Sequence, residues 1–302
     1  MPVASPYAAR LGEIPVARHE VDVLGSTTAY WVYGPDAAVA HVPTIIAVHG
    51  FRGEHHGLEP VVAYLPGVRV ISPDLPGFGE TPPIPGREHD LGLYAGWLSE
   101  FARAVAPDAV IIGHSFGSIV SSAAVASGLR TPQLILINPI GAPALDGPKG
   151  VLTRLAVLYY SLGARLPEPL GTALLRNPLI VRIASIAMAT TSDPELRRFV
   201  HDQHDTYFSR FADRDVLHDA FVTSVSHDVR AFAGVIDAPT LLIAAQRDQI
   251  TPIAAERELV AMFPQAELTE IAGVGHLIHY EAPAEAAGAI RRFLRLPVVP
   301  GR

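Results

Sequence analysis

The chain has 302 residues, 49% apolar and 18% charged, which excludes a disordered chain and leaves room for two domains or one large domain with an insertion. Basic residues number 23 against 30 acidic, a net charge of -7 with no block of like charge, so no nucleic-acid partner is expected. Cysteine is absent and Lys149 is the single lysine, in Gly147-Pro148-Lys149-Gly150, which sets aside disulfides, thiolate metal sites, a cysteine nucleophile and Schiff-base chemistry.

Met1–Pro15 carries no basic cluster followed by an apolar run and reads as an irregular arm, so a cytoplasmic location is expected. Arg18–Leu24 and Thr28–Tyr33, separated by Gly25-Ser26-Thr27, predict an antiparallel strand pair. Beyond Pro43 the pattern changes to short runs rich in Val and Ile: Thr44–His49, Arg69–Pro73, Ala109–Gly113 and Leu134–Asn138. Near-continuous apolar strands alternating with helical stretches indicate an α/β fold, a mostly parallel sheet flanked by helices on both faces. Leu241–Ala245 and Leu268–Ile271 resume that pattern after a gap, roughly Ile140 to Val235, that has helical periodicity without a buried strand. The predicted organisation is therefore a core of residues 1–139 and 236–302 with a helical cap inserted over 140–235. Within the insertion, Val151–Leu166 and Leu179–Thr190 are apolar but interrupted by Arg154, Arg165 and Arg182, and each is shorter than the ~20 residues that span a bilayer. They predict helices that bury one face, against the core, a substrate or a membrane surface, and no transmembrane segment.

The chemistry gathers at strand ends. Gly113-His114-Ser115-Phe116-Gly117 fits G-x-S-x-G between the apolar strand Ala109–Ile112 and the helix-compatible Ser118–Ala126. That setting is the strained strand–turn–helix elbow that exposes a serine hydroxyl; the competing reading is that Ser115 caps the helix. A hydroxyl needs a base, and His276, in Gly273-Val274-Gly275-His276, follows the last predicted strand. Asp248 follows Leu241–Arg247, so the chain order is Ser115, Asp248, His276, that of a hydrolase triad on a parallel sheet. In those roles His276 takes and returns the Ser115 proton while Asp248 fixes the imidazole tautomer. Read singly, His276 is a loop histidine and Asp248 a turn or cap residue before Thr251-Pro252. An acyl-transfer intermediate also needs amide donors for its oxyanion, and the two expected sources are Phe116 after the serine and Phe51 in the turn after Thr44–His49.

His49-Gly50-Phe51, Asp74-Leu75-Pro76-Gly77-Phe78-Gly79, Gly113–Gly117, Gln246-Arg247-Asp248 and His276 with Glu281-Ala282-Pro283 together resemble the α/β-hydrolase superfamily, in its serine-nucleophile branch with a helical cap after the sixth strand. The resemblance runs from about Thr44 to the C-terminus and implies a Ser-His-Asp hydrolase without metal or organic cofactor. Ser115 separates it from branches that carry aspartate there, and Ser118 departs from the glycine common at that position. Arg52, Glu54, His55 and His56 follow the oxyanion turn; Arg52 or a histidine there is expected either to contact a polar part of the substrate or to pair and pack within the loop. His114 is a further candidate for substrate contact. His201–Asp205 and His276–His279 have i, i+3 histidine spacing but no defined third ligand, so no metal is assigned and the first cluster reads as a polar face of the cap. Asp74 reads as turn geometry, and Gly77-Phe78-Gly79 lacks a phosphate-binding pattern. The expected reaction is hydrolysis of a carboxylic ester, lactone or thioester of a moderately hydrophobic small molecule through an acyl-Ser115 intermediate. A C–C hydrolase of a vinylogous diketone and a low-turnover binding protein on the same fold are the alternatives; the sequence leaves oligomeric state open.

Overall fold

A computed structural model describes residues 3–36, 43–143 and 150–296, with backbone alone for 150–153. Lys149 lies outside the described residues. Helix α1 (Ala8–Leu11) precedes the strands β1 (Val16–Val23) and β2 (Ser26–Tyr33). Then come β3 (Ile45–Val48), α2 (Glu59–Val62), β4 (Val70–Pro73), α3 (Leu91–Val105), β5 (Val110–His114), α4 (Phe116–Ala126) and β6 (Leu134–Ile137). Among the described residues, six helices follow before the next strand: α5 (Gly150–Arg165), α6 (Glu168–Leu175), α7 (Pro178–Met188), α8 (Pro194–Tyr207), α9 (Arg214–Ser226) and α10 (Arg230–Ala233). The chain closes with β7 (Thr240–Ala245), α11 (Ile253–Val260), β8 (Ala266–Ile271), α12 (Ile278–Glu281) and α13 (Pro283–Phe293).

The eight strands among the described residues form one sheet in the order β1-β2-β4-β3-β5-β6-β7-β8. The pairs β1–β2 and β2–β4 are antiparallel and all others parallel. The first hairpin turns one step earlier than the sequence predicts: Leu24 and Gly25 both take positive φ (51° and 81°), and Ser26 already pairs with Val23. A two-residue turn with two left-handed residues matches the twist of the flanking strands, so Ser26 and Thr27 belong to β2.

Alternation along the strands explains why both faces are covered. Ile46, Ile111 and Leu136 face a cluster that contains Trp97 and Phe101 of α3 and Ile119 of α4. Their neighbours Ile45, Ile112 and Ile137 face a second cluster with Val61 of α2 and Ala286 and Ile290 of α13. Every residue of β3, β5, β6 and β7 is buried.

The segment between β6 and β7 is helical, with no strand longer than the isolated Phe78–Phe211 bridge among the described residues. Asn177, Asp193 and Asp213 cap α7, α8 and α9 by accepting amide hydrogens of their first turns. A Cβ on Gly171 would lie 2.1 Å from the Gly163 carbonyl oxygen, so α5 and α6 meet backbone to backbone. Tyr160 of α5 stacks on Phe221 of α9 with ring centroids 4.0 Å apart, and Leu175 and Leu217 join the cluster beneath. One difference from the sequence reading concerns length: Glu168–Met188 is a 21-residue run containing an 18-residue window of mean hydropathy 1.2, long and apolar enough to cross a membrane, and 22% of that window is buried. Arg176-Asn177-Pro178 divides that run into α6 and α7, because Pro178 at the start of α7 has no amide hydrogen to continue α6.

Candidate active site

Ser115 sits between β5 and α4 with φ 52° and ψ -117°, a conformation that a serine adopts only when its surroundings enforce it. The enforcement is close backbone packing on both sides. A Cβ on Gly113 would lie 2.4 Å from the Gly117 oxygen, and one on Gly117 would lie 2.4 Å from the Val48 oxygen. The Ser115 side chain makes no capping bond to α4, so its hydroxyl is turned elsewhere. Ser118, where the resemblance leads one to expect glycine, donates from Oγ to the Ser115 carbonyl (2.5 Å) and accepts from the Ile140 amide (3.2 Å).

The three residues placed by chain order come together. Ser115 Oγ lies 2.8 Å from His276 Nε2, and His276 Nδ1 lies 2.8 Å from Asp248 Oδ2. The other Asp248 oxygen accepts the amides of Ile250 (2.6 Å) and Thr251 (3.2 Å), so the carboxylate is fixed by its own turn after β7. With Nδ1 donating to Asp248, Nε2 is left as the acceptor for the serine proton.

The loop after β3 packs directly on this elbow: a Cβ on Gly50 would fall 3.0 Å from His114 Nδ1 and 3.3 Å from Ser115 Cβ. His49 holds the loop by donating from Nδ1 to the Gly50 oxygen (2.8 Å) and accepting the Leu75 amide at Nε2 (2.9 Å), and burial pushes its pKa down. The amides of Phe51 and Phe116 make no turn or strand hydrogen bond among the described residues. The Phe51 ring contacts Phe116 below and Tyr160 and Phe221 of the insertion above.

Arg52, at φ 59°, is buried and pairs with no carboxylate among the described residues. Its Nε donates to the Phe208 oxygen (2.7 Å), Nη2 to the Leu175 oxygen (2.9 Å) and Nη1 to the Tyr160 hydroxyl (3.2 Å), which joins the loop to α5, α6 and the end of α8. His55 and His56 pack within the loop. His55 bonds Asp74 Oδ1 at 2.9 Å and stacks on Trp31, while His56 bonds Glu54 Oε1 at 2.5 Å. Asp74, which the sequence assigns to turn geometry, also accepts the amides of His55 and Glu80 and so orders two loops at once. Glu54, His55 and His56 hold ligand-type atoms within 4.8 Å of one another, the grouping among the described residues with metal-like composition, but Glu54 is engaged by His56 and lies 3.7 Å from Arg210.

A cavity of about 940 Å³ opens over Ser115, floored by the strand ends and roofed by α5, α7 and α8. Its wall is mainly apolar, with His114, His204 and His279 among the polar exceptions. Burial pushes the imidazoles of His114 and His204 down to about 3 and that of His279 well below its ordinary value, so all three are neutral near pH 7. His114 lies against both His276 and His279, with ring centroids at 5.6 Å and 4.1 Å. The assignment of His201–Asp205 to a polar face needs correction for His204, which is buried: Ser185 of α7 bonds both His201 Nδ1 (2.6 Å) and His204 Nδ1 (2.7 Å), turning that stretch of α8 toward α7.

Three residues were not singled out by sequence reasoning. Asn138, at the end of β6, donates to the Gly275 oxygen (3.2 Å) and accepts the Ala245 amide (3.2 Å). Glu281 accepts the amides of Thr190 (2.6 Å) and Thr191 (2.9 Å) and bonds the Thr190 hydroxyl, which in turn accepts the Gly275 amide (2.9 Å). The loop bearing His276 is thereby tied both to the sheet and to the inserted helices. Glu281 was visible only as part of a motif without a role, and Thr190 carries no local signal.

The arrangement can activate a hydroxyl as a nucleophile beside free amide donors and an apolar cavity. The pimeloyl-[acyl-carrier protein] methyl ester esterase of Xanthomonas oryzae pv. oryzae is 25% identical over 260 residues, covering 85% of this chain and 96% of that protein. Lipase 1 of Psychrobacter immobilis is 24% identical over 273 residues, covering 87% and 80%. Among solved structures, the enol-lactonase from Burkholderia xenovorans LB400 has the same fold, with a TM-score of 0.74 at 19% identity over 92% of this chain and 100% of that one. The sequence model of the alpha/beta hydrolase family matches residues 45–289, from the start of β3 into α13, and by that match the chain belongs to the alpha/beta hydrolase family.

Proposed function

We propose that this chain hydrolyses a carboxylic ester of a moderately hydrophobic small molecule through an acyl-Ser115 intermediate. The observation that carries the reading is the unbroken line Ser115 Oγ, His276 Nε2, His276 Nδ1, Asp248 Oδ2, with 2.8 Å at both hydrogen bonds. Ser115 Oγ attacks the ester carbonyl carbon as its proton passes to His276 Nε2, and the resulting oxyanion is held by the Phe51 and Phe116 amides. Collapse breaks the bond to the leaving alkoxide, which takes the proton from His276 and departs as the alcohol. Water then gives a proton to His276, adds to the acyl carbon, and releases the acid as Ser115 recovers its proton. The relatives named above as an esterase and a lipase support an ester as substrate, and the mainly apolar cavity wall supports an apolar acyl or alkyl part.

The helices α5 to α9 act as the cap over this cavity, with Arg52 holding its seat. The purified chain is expected to turn over short- and medium-chain aryl esters and to be labelled at Ser115 by an alkyl phosphonate, with both lost in Ser115→Ala. A wild-type chain showing neither turnover nor labelling would overturn the reading.

A further inference from the structure

Thirteen large apolar side chains are exposed among the described residues, and seven of them lie on α5, α6 and α7. Leu155, Leu158 and Leu162 recur at i, i+3 and i+7 along α5, and Leu179, Ile183 and Ile186 at i, i+4 and i+7 along α7, so each trio shares one helix face. Leu170 adds an apolar position on α6. The other six are single residues on separate segments.

A surface helix ordinarily carries one apolar stripe and turns it inward. These helices carry two. Tyr160 and Ala156 on α5 and Val181 and Ala184 on α7 already line the cavity, and the outward trios come on top of that. Exposures from 44% at Leu162 to 66% at Leu179 leave the outer stripe uncovered. Leu155 and Ala187 are both exposed and part of the cavity wall, so the cavity reaches the surface on this side.

The charge on these helices selects the occupant. In a chain of net charge -7, helices α5, α6 and α7 hold Arg154, Arg165 and Arg182, the break between α6 and α7 adds Arg176, and Glu168 is the one acidic residue of that span. Arg154 and Arg165 are exposed beside the α5 trio, with no acidic partner among the described residues. A second copy on this face would set arginine against arginine. An anionic lipid surface offers hydrocarbon for the trios and phosphates for the guanidinium groups in one plane.

We propose that α5, α6 and α7 form a docking surface for an anionic lipid bilayer, which places the cavity mouth against the lipid. The chain lies on the bilayer rather than crossing it, since Arg176-Asn177-Pro178 breaks the one run among the described residues that is long enough to span, and Arg182 is paired with Asp205. The proposal is independent of the acyl-serine chemistry, because binding needs no turnover and Ser115→Ala is expected to bind as the wild type does.

The test is flotation of the full chain with vesicles of phosphatidylcholine, with and without phosphatidylglycerol. The wild type is expected to float with the phosphatidylglycerol vesicles about tenfold more than with phosphatidylcholine alone. The triple variant Leu158→Asp, Leu179→Asp, Ile183→Asp is expected to lose flotation while keeping wild-type turnover of a short soluble aryl ester. The double variant Arg154→Glu, Arg165→Glu removes no apolar side chain, and it is expected to lose the preference for phosphatidylglycerol even if the triple variant fails to fold. Absence of wild-type flotation, or equal flotation of the wild type and the double variant, would overturn the proposal. A wild type that is dimeric by light scattering beside a monomeric triple variant would also overturn it, by assigning the face to a second copy.

Discussion

The sheet and the inserted helices reach order by different means. Strands β3, β5, β6 and β7 are buried on both faces, and the groups at their ends are positioned by backbone geometry: the Ser115 elbow, the Asp248 turn, the Gly50 approach. The inserted helices bury one side of α5 and α7, leave the other side apolar and exposed, and are tied to the rest of the chain by polar bonds at Arg52 and Glu281 and to one another at Ser185. On the function proposed above, chemistry would rest on the sheet and substrate choice on the helices, and the two halves should respond to different substitutions.

The largest expected effect tests the sheet half. His276→Ala should lower kcat on a soluble aryl ester by about 10⁴- to 10⁶-fold. An inserted-helix variant with an equal loss would break the division. Next comes the joint between the halves: Arg52→Met leaves the Phe208 oxygen without its donor and the Leu175 oxygen with the Tyr159 hydroxyl (3.2 Å), at a cost of about 2–4 kcal/mol. It should appear as a lower denaturation midpoint and as faster proteolysis within residues 150–226, with the sheet protected longest.

Glu256, on α11 near Gly141, sharpens the sheet side through pH. Both its carboxylate oxygens lack partners among the described residues, and burial, with Asp248 adding, pushes its pKa up to about 9. The folded chain keeps this proton after the unfolded chain has released it near pH 4.5, so the group lowers stability progressively from about pH 4.5 to about 9. Glu256→Gln should therefore stabilise the chain by on the order of 2–4 kcal/mol at pH 8 and by much less at pH 4.5, read from urea midpoints at the two values. Buried His114 and His204 work in the opposite direction, costing stability as pH falls from 6.5 toward 3, and they cancel in the comparison of variant with parent. The smallest effect lies in the helices alone: Ser185→Ala should cost about 1 kcal/mol by breaking the α7–α8 seam. Its turnover of short esters should stay near wild type while the preference between short and medium acyl chains shifts.

What could be read in the sequence follows the same division. The parallel strands announce themselves because burial on both faces demands continuous Val and Ile, and Ser115, Asp248 and His276 stand out because each follows such a run with turn residues around it. The hairpin was displaced by one step because a Leu-Gly turn hides its first left-handed residue behind an ordinary apolar side chain. Arg52 was open to two readings because its partners are two main-chain oxygens and a tyrosine hydroxyl more than a hundred residues away. His204 looked like part of a polar face because one serine on another helix, Ser185, supplies the partner that allows its burial.

The seat of the inserted helices on Arg52 has an evolutionary consequence. Two of its three acceptors are backbone carbonyls, which every residue type provides, so the sequences of α6 and α8 can drift widely without losing their anchor. A lineage could exchange the lining of the cavity, and with it the range of accepted molecules, while the guanidinium beside Phe51 kept the roof in register.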